Sequence, residues 1–378
     1  MPHFIEELIP EYIRGLPAYV PGRPIEEVER ELKIQAVKLA SNENPLGPSP
    51  KAMKAAKAAL SAAHRYPDGG THHLRQKLAR RHGVLPDEIF IGLGSSEIID
   101  IAARILLSRG KTGITSHGSY APFSVAIRAS GAELVLVPQR EFAFDLTAIL
   151  QTVMHKRETR LVYLANPNNP TGTAFGARDL EQFLSSLPSD ILVVLDEAYI
   201  HYADRPDMPD SMKLFRQFKN LLVMRTFSKV YGMAGLRIGY GIAQEGVVRV
   251  MNKLRTPFNV TGVSQAAALA ALDDTKHVEL SIATNATERA RLLEGLSKLG
   301  LRVVRSHANF IFVDIGPEAN ELCDELLHEG VIVRPLGWMG FPEAIRVSVG
   351  VTEENDKLLA VMSKLLARRA GKIELTTR

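Results

Sequence analysis

From residue 89 to about residue 241 the chain alternates short apolar runs with amphipathic stretches. That rhythm limits its possible folds more than any other feature. Ile89–Gly92, Thr112–Thr115, Glu133–Val137, Leu161–Leu164, Ile191–Leu195, Leu221–Arg225 and Ile238–Gly241 read as strands. Helical stretches such as Leu146–His155 and Ala177–Ser186 separate several of them. Near-continuous apolar strands between helices predict an α/β fold with a mostly parallel central sheet covered on both faces.

The pattern changes after about residue 262. Ser264 to Leu299 is largely helical with a break near Asp273–Asp274. Strands are expected at Arg302–Val304, Asn309–Val313, Val331–Arg334 and Ala344–Val349, with helices at Glu318–His328 and Glu353–Arg368. This order predicts a smaller α+β domain over residues 263–378, after a large α/β domain over 46–262. Residues 1–45, rich in proline, read as an N-terminal arm lying on the smaller domain. At roughly 150 residues per domain, 378 residues accommodate this division.

Charge and cysteine content exclude several function classes. Forty-six basic and 42 acidic residues leave a net charge of +4, with no run of five like charges, so nucleic acid and membrane surfaces have no electrostatic footprint. Cys323 is the sole cysteine, which excludes intrachain disulfides and cysteine metal clusters. The longest apolar stretch, Ala266–Leu272, is far short of a spanning helix. The first ten residues carry Glu6 and Glu7 without a basic segment, unlike a secretory signal. A soluble cytoplasmic protein is expected.

Ligands of open α/β sheets gather at the carboxyl ends of the strands. After Ile89–Gly92 comes Gly94-Ser95-Ser96-Glu97, a glycine turn opening a helix, whose free N–H groups suit a phosphate. It is not a dinucleotide fingerprint, since Glu97 occupies the third glycine position. Asn166-Pro167-Asn168-Asn169-Pro170-Thr171-Gly172 forms a rigid turn that fixes the Asn169 amide between prolines. Ile191–Leu195 runs into Asp196-Glu197-Ala198-Tyr199, where a carboxylate at the end of a buried strand calls for a cation. Leu221–Arg225 ends in Thr226-Phe227-Ser228-Lys229, followed by Gly232, Gly235 and Arg237. Lys229 is either a surface charge or an amine whose pKa neighbouring cations lower, fit to form a Schiff base. No zinc-protease or phosphate-loop motif occurs, and the adjacent His72-His73 pair cannot face one metal from a helix.

Asn-Pro-x-Gly, Asp-x-x-Tyr and Ser-Lys with an arginine eight residues later, each after a strand, resemble the fold type I pyridoxal-phosphate aminotransferases. More narrowly, the chain resembles the histidinol-phosphate aminotransferases. That likeness rests on Ser41–Gly47, Arg65–Asp68, Gly94–Glu97, Asn166–Gly172, and Arg334-Pro335 ahead of Ile345–Gly350. It implies that Lys229 carries pyridoxal phosphate as a Schiff base and acts as the base, while Asp196 pairs with the pyridine nitrogen. Asn169 and Tyr199 would hydrogen-bond O3′, and Ser95, Ser96, Ser228 and Arg237 would hold the phosphate. Tyr120 would stack on the ring, and Tyr66 would reach the coenzyme phosphate of the neighbouring subunit in a homodimer with shared active sites. For the substrate, Arg346 matches the residue that forks onto a carboxylate, Arg334 and Tyr19 match positions reaching a distal phosphate, and Asn42 lies in the first motif.

The implied reaction is a ping-pong transfer between histidinol phosphate and 2-oxoglutarate. The apolar segment Pro335–Pro342 departs from the pattern: Trp338, Met339 and Phe341 could line a pocket for aromatic side chains. An aromatic-amino-acid aminotransferase is therefore the alternative, followed by a threonine-phosphate decarboxylase-like enzyme. A non-catalytic coenzyme-binding regulator ranks last, because no helix-turn-helix of suitable length precedes the fold.

Overall fold

The computed structural model describes residues 7–16, 18 and 22–376, with side chains through residue 369. Tyr19 lies outside the described residues. Thirteen strands are described: β1 Val37–Lys38, β2 Ile89–Gly92, β3 Thr112–Ser116, β4 Glu133–Val137, β5 Thr159–Ala165, β6 Leu192–Asp196, β7 Leu221–Thr226, β8 Gly239–Ile242, β9 Arg302–Val304, β10 Phe310–Asp314, β11 Val331–Ile332, β12 Arg334–Pro335 and β13 Ala344–Ser348.

Seven strands form the central sheet in the order β2-β8-β7-β6-β5-β3-β4, and only β8 runs against its neighbours. Val162, Leu164, Val193, Leu195 and Val223 are fully buried, as expected for strands covered on both faces. Because β4 and β6 extend from β3 and β5 in opposite directions, the sheet has a crevice at the carboxyl ends of these strands.

A second, antiparallel sheet has the order β12-β13-β10-β9. Its core includes Ile311, Val313, Ile345 and Val347, packed with Leu322 and Leu326 of helix Ala319–His328 and Leu358 and Met362 of helix Thr352–Thr376. Helices fall at Leu146–His155 and Ala177–Ser186, as their periodicity predicts.

Two details differ from the sequence reading. The single strand expected over Val331–Arg334 is two: Val331–Ile332 pairs in parallel with β1, and Arg334–Pro335 pairs with β13 in the other sheet. Pro335 has no N–H to extend a ladder, which suits a short edge strand. The large core also extends past residue 262. Helix Gly262–Ala271 packs on helix Pro50–Ala59, where Ala52, Ala56, Ala267, Ala268 and Ala271 let the backbones approach closely. The chain passes to the smaller core within helix Thr275–Lys298: Val278 and Ile282 touch the first core, and Leu292 and Leu296 belong to the second.

Candidate active site

The carboxyl ends of β5, β6 and β7 open into a cavity of about 580 Å³. Asn42, Ser95, Ser96, Tyr120, Asn169, Asp196, Tyr199, Ser228, Lys229, Arg237, Arg334 and Arg346 all line it. One cavity thus brings together every candidate among the described residues except Tyr66.

Asp196 is the last residue of β6, registered opposite Ala165 of β5. The Tyr163 hydroxyl donates to its Oδ2, and the Ala198 N–H donates to Oδ1 at 2.9 Å. Burial pushes its carboxyl up to about 6, against those two hydrogen bonds. Tyr163 is held in turn by stacking on Phe123, with ring centroids 4.3 Å apart. Motif reading missed Tyr163. Strand alternation could have found it, because Tyr163 shares a sheet face with Ala165 and so lies diagonally across from Asp196.

Lys229 follows β7, and its Nζ donates to the backbone carbonyls of Asn42 at 3.2 Å and Ser41 at 3.5 Å. The amine also lies 5.5 Å from the Tyr199 ring centroid. Burial brings its pKa down to about 8, with the Arg346 and Arg237 charges adding to the effect. Much of the amine is therefore neutral near pH 8, so it can act as a nucleophile or base. Tyr199 accepts from Asn42 Nδ2 at 3.1 Å, and burial raises its phenol pKa, so the hydroxyl keeps its proton. Asn42 is itself fixed, donating its N–H to Ser348 Oγ at 2.8 Å while its carbonyl accepts from Asn309 Nδ2 at 3.1 Å.

Arg346 on β13 donates to Asn169 Oδ1 at 2.6 Å and to the Ala40 carbonyl at 2.7 Å, with its guanidinium over the Phe310 ring. One side chain thereby joins the smaller sheet, the N-terminal segment and the Asn166–Gly172 turn.

Ser95 and Ser96 lie in the first turn of helix Gly94–Leu106, whose N-terminus has no side-chain cap. Gly94 has φ +71°, and a Cβ there would lie 2.5 Å from Arg237 Nη2. Free N–H groups, a helix dipole and a guanidinium meet in a cradle that only glycine leaves open. A phosphate fits this chemistry, just as a pyridinium fits beside Asp196 and an aldehyde carbon suits the Lys229 amine. Tyr66 stands apart: it is 82% exposed and stacked on Phe258, with ring centroids 4.7 Å apart. Among the described residues no helix is long and apolar enough to cross a membrane, and no group of His, Cys, Asp and Glu side chains could hold a metal ion.

Residues 34–361 match the family described as aminotransferase class I and II. The chain belongs to that family, and its sheet and cavity are those of a fold type I aminotransferase. It is 46% identical to a histidinol-phosphate aminotransferase of Anaeromyxobacter, over 95% of this chain and 99% of that one. Histidinol-phosphate aminotransferase 2 of Pseudomonas aeruginosa is also 46% identical, over 94% of this chain and 96% of its own length. The crystal structure of histidinol-phosphate aminotransferase from Sinorhizobium meliloti in complex with pyridoxal-5′-phosphate superposes with a TM-score of 0.88, at 32% identity, covering 95% of this chain and 98% of that one. The histidinol-phosphate aminotransferases are thus its branch of the family.

Proposed function

We propose that this enzyme moves an amino group between L-histidinol phosphate and 2-oxoglutarate, giving imidazole-acetol phosphate and L-glutamate, with pyridoxal phosphate as cofactor. The observation that carries the reading is the meeting, in one cavity, of a buried amine of lowered pKa, a buried carboxylate and an open helix N-terminus beside Arg237. When bound, pyridoxal phosphate supplies an electron sink for the carbanion left by proton removal.

The chain's own groups bind and steer. Lys229 would hold the cofactor through its amine and would be the group that moves the proton at the substrate Cα. Asp196 faces the ring nitrogen and keeps it protonated, with Tyr163 fixing the carboxylate. Asn169 and Tyr199 hydrogen-bond O3′, Tyr120 stacks on the ring, and Ser95, Ser96, Ser228 and Arg237 hold the phosphate. Arg346 receives the α-carboxylate of glutamate bidentately. Arg334 and Tyr19 receive the distal phosphate of histidinol phosphate. The two half-reactions alternate in one site, a ping-pong scheme.

The reading extends to a cytoplasmic homodimer with shared sites, in which Tyr66 reaches the partner's cofactor phosphate. The exposed Tyr66–Phe258 pair supports this, because a stacked aromatic pair with a hydroxyl suits a buried interface. The division into an N-terminal arm, a large domain and a small domain belongs to the same proposal, supported by the two separate cores. An aromatic-amino-acid donor is the second reading, favoured by Trp338 and Met339 in the cavity wall. A donor panel with 2-oxoglutarate decides: histidinol phosphate, phenylalanine, tyrosine, aspartate and threonine phosphate. The highest kcat/KM is expected for histidinol phosphate. A preference for phenylalanine or tyrosine would overturn the assignment.

A further inference from the structure

The turn after β12 has no role in the transfer from histidinol phosphate described above, yet it sits in the cavity wall through Trp338 and Met339. Its backbone is anchored without help from the indole. Leu336 and Met339 are buried against Phe312 and Ala344, and the Met339 and Phe341 N–H groups both donate to the Leu336 carbonyl. Gly340, at φ +90°, leaves no room for a side chain against the His117 ring. On this fixed turn Trp338 is half exposed, at 51%. A ring so placed is available for a role in the cavity.

The β12–β13 register supplies one. Arg334 is paired directly opposite Arg346, so two guanidinium groups face the same cavity from adjacent strands. Like charges directly opposite on a sheet repel. Each arginine here lies over an aromatic face: Arg346 is 5.4 Å from the Phe310 centroid and Arg334 is 5.0 Å from the Trp338 centroid. A guanidinium stacked on a ring has the plane of its N–H fork set by that ring.

We propose that Trp338 is a positioning residue, whose indole holds the Arg334 guanidinium apart from Arg346 at the distal end of the cavity, ready for a substrate phosphate. This rests on the reading of Arg334 as the receiver of that phosphate. It predicts that Trp338 acts through Arg334, and only on donors that carry the distal anion.

The test compares histidinol phosphate with histidinol, which lacks only the phosphate, in the donor half-reaction of the holoenzyme. Trp338→Leu is expected to lower kcat/KM for histidinol phosphate by about three- to tenfold more than for histidinol, through KM rather than kcat. Trp338→Phe restores much of the loss. In an Arg334→Met background, Trp338→Leu has no further selective effect. Trp338 is also the sole tryptophan, so the indole emission of the holoenzyme, excited selectively over tyrosine, reports this side chain, and Arg334→Met is expected to shift it. Equal losses on both donors for Trp338→Leu, additive losses in the double variant, or unchanged emission would each overturn the proposal. If Arg334→Met is selective for histidinol phosphate while Trp338→Leu is not, the positioning role alone fails. If Arg334→Met is not selective, the distal-phosphate reading fails and takes the positioning role with it.

Discussion

Lys229 and Asp196 are two groups whose environments shift them in opposite senses on the charge scale, and both shifts begin with burial. For Lys229, burial and the Arg346 charge favour the neutral amine, which predominates as pH rises through about 8. The rate at which cofactor-free protein takes up pyridoxal phosphate should therefore rise through that pH. Arg346→Gln removes a neighbouring positive charge, so the midpoint should move to higher pH; stopped-flow absorbance across a pH series reads it, and an unmoved midpoint would contradict the electrostatic account. Lys229→Ala should lower turnover by at least about a thousandfold, as expected when the proton-transferring group is lost. For Asp196, the Tyr163 hydroxyl donates to the charged form and opposes the rise to about 6. Tyr163→Phe should cost the cofactor-free protein about 1.5–3 kcal/mol of stability well above pH 6, where the carboxylate is ionised. The cost should shrink well below pH 6, where Asp196 is neutral, and denaturant unfolding at the two pH values measures the difference.

At the scale of elements, the helix Gly94–Leu106 depends on one backbone conformation. Gly94→Ala places a Cβ against Arg237 and demands a left-handed φ that costs about 1–2 kcal/mol. Pyridoxal phosphate should bind roughly tenfold or more weakly by equilibrium dialysis, whereas an unchanged affinity would show that the cradle does not hold the phosphate. The strands and most site residues were legible because buried parallel strands are continuous apolar runs, and their ends carry the polar punctuation. Asp196, Asn169 and Lys229 each stand at such an end. Tyr163 was not legible as a site residue, because inside an apolar strand a tyrosine reads as core until the register against β6 is known. The split of Val331–Arg334 between two sheets was equally hidden, because four apolar and basic residues in a row do not show which partner strand each one meets. The shift from large to small core inside helix Thr275–Lys298 also escaped the pattern, since one amphipathic helix serves both cores.

For the whole molecule, the shared-site proposal makes a complementation test possible. Tyr66→Ala and Lys229→Ala chains, mixed and reassorted, should recover activity above the diluted Tyr66→Ala baseline, because one site then joins an intact Lys229 to the partner's intact Tyr66. No gain with verified heterodimers would place Tyr66 outside the partner's site. The pairing of β1 with β11 carries a further consequence, for the order of biosynthesis. Val37–Lys38 leaves the ribosome nearly 300 residues ahead of Val331–Ile332 and must wait for it before it has a strand to join. The segment just after it supplies the carbonyls of Ser41 and Asn42 that receive the Lys229 amine, and Asn42 is braced by Ser348. The central sheet can assemble while the chain is still growing, but the lysine's surroundings close only when β13 has been made. A nascent chain thus carries its reactive amine in an unfinished setting until β13 has been made.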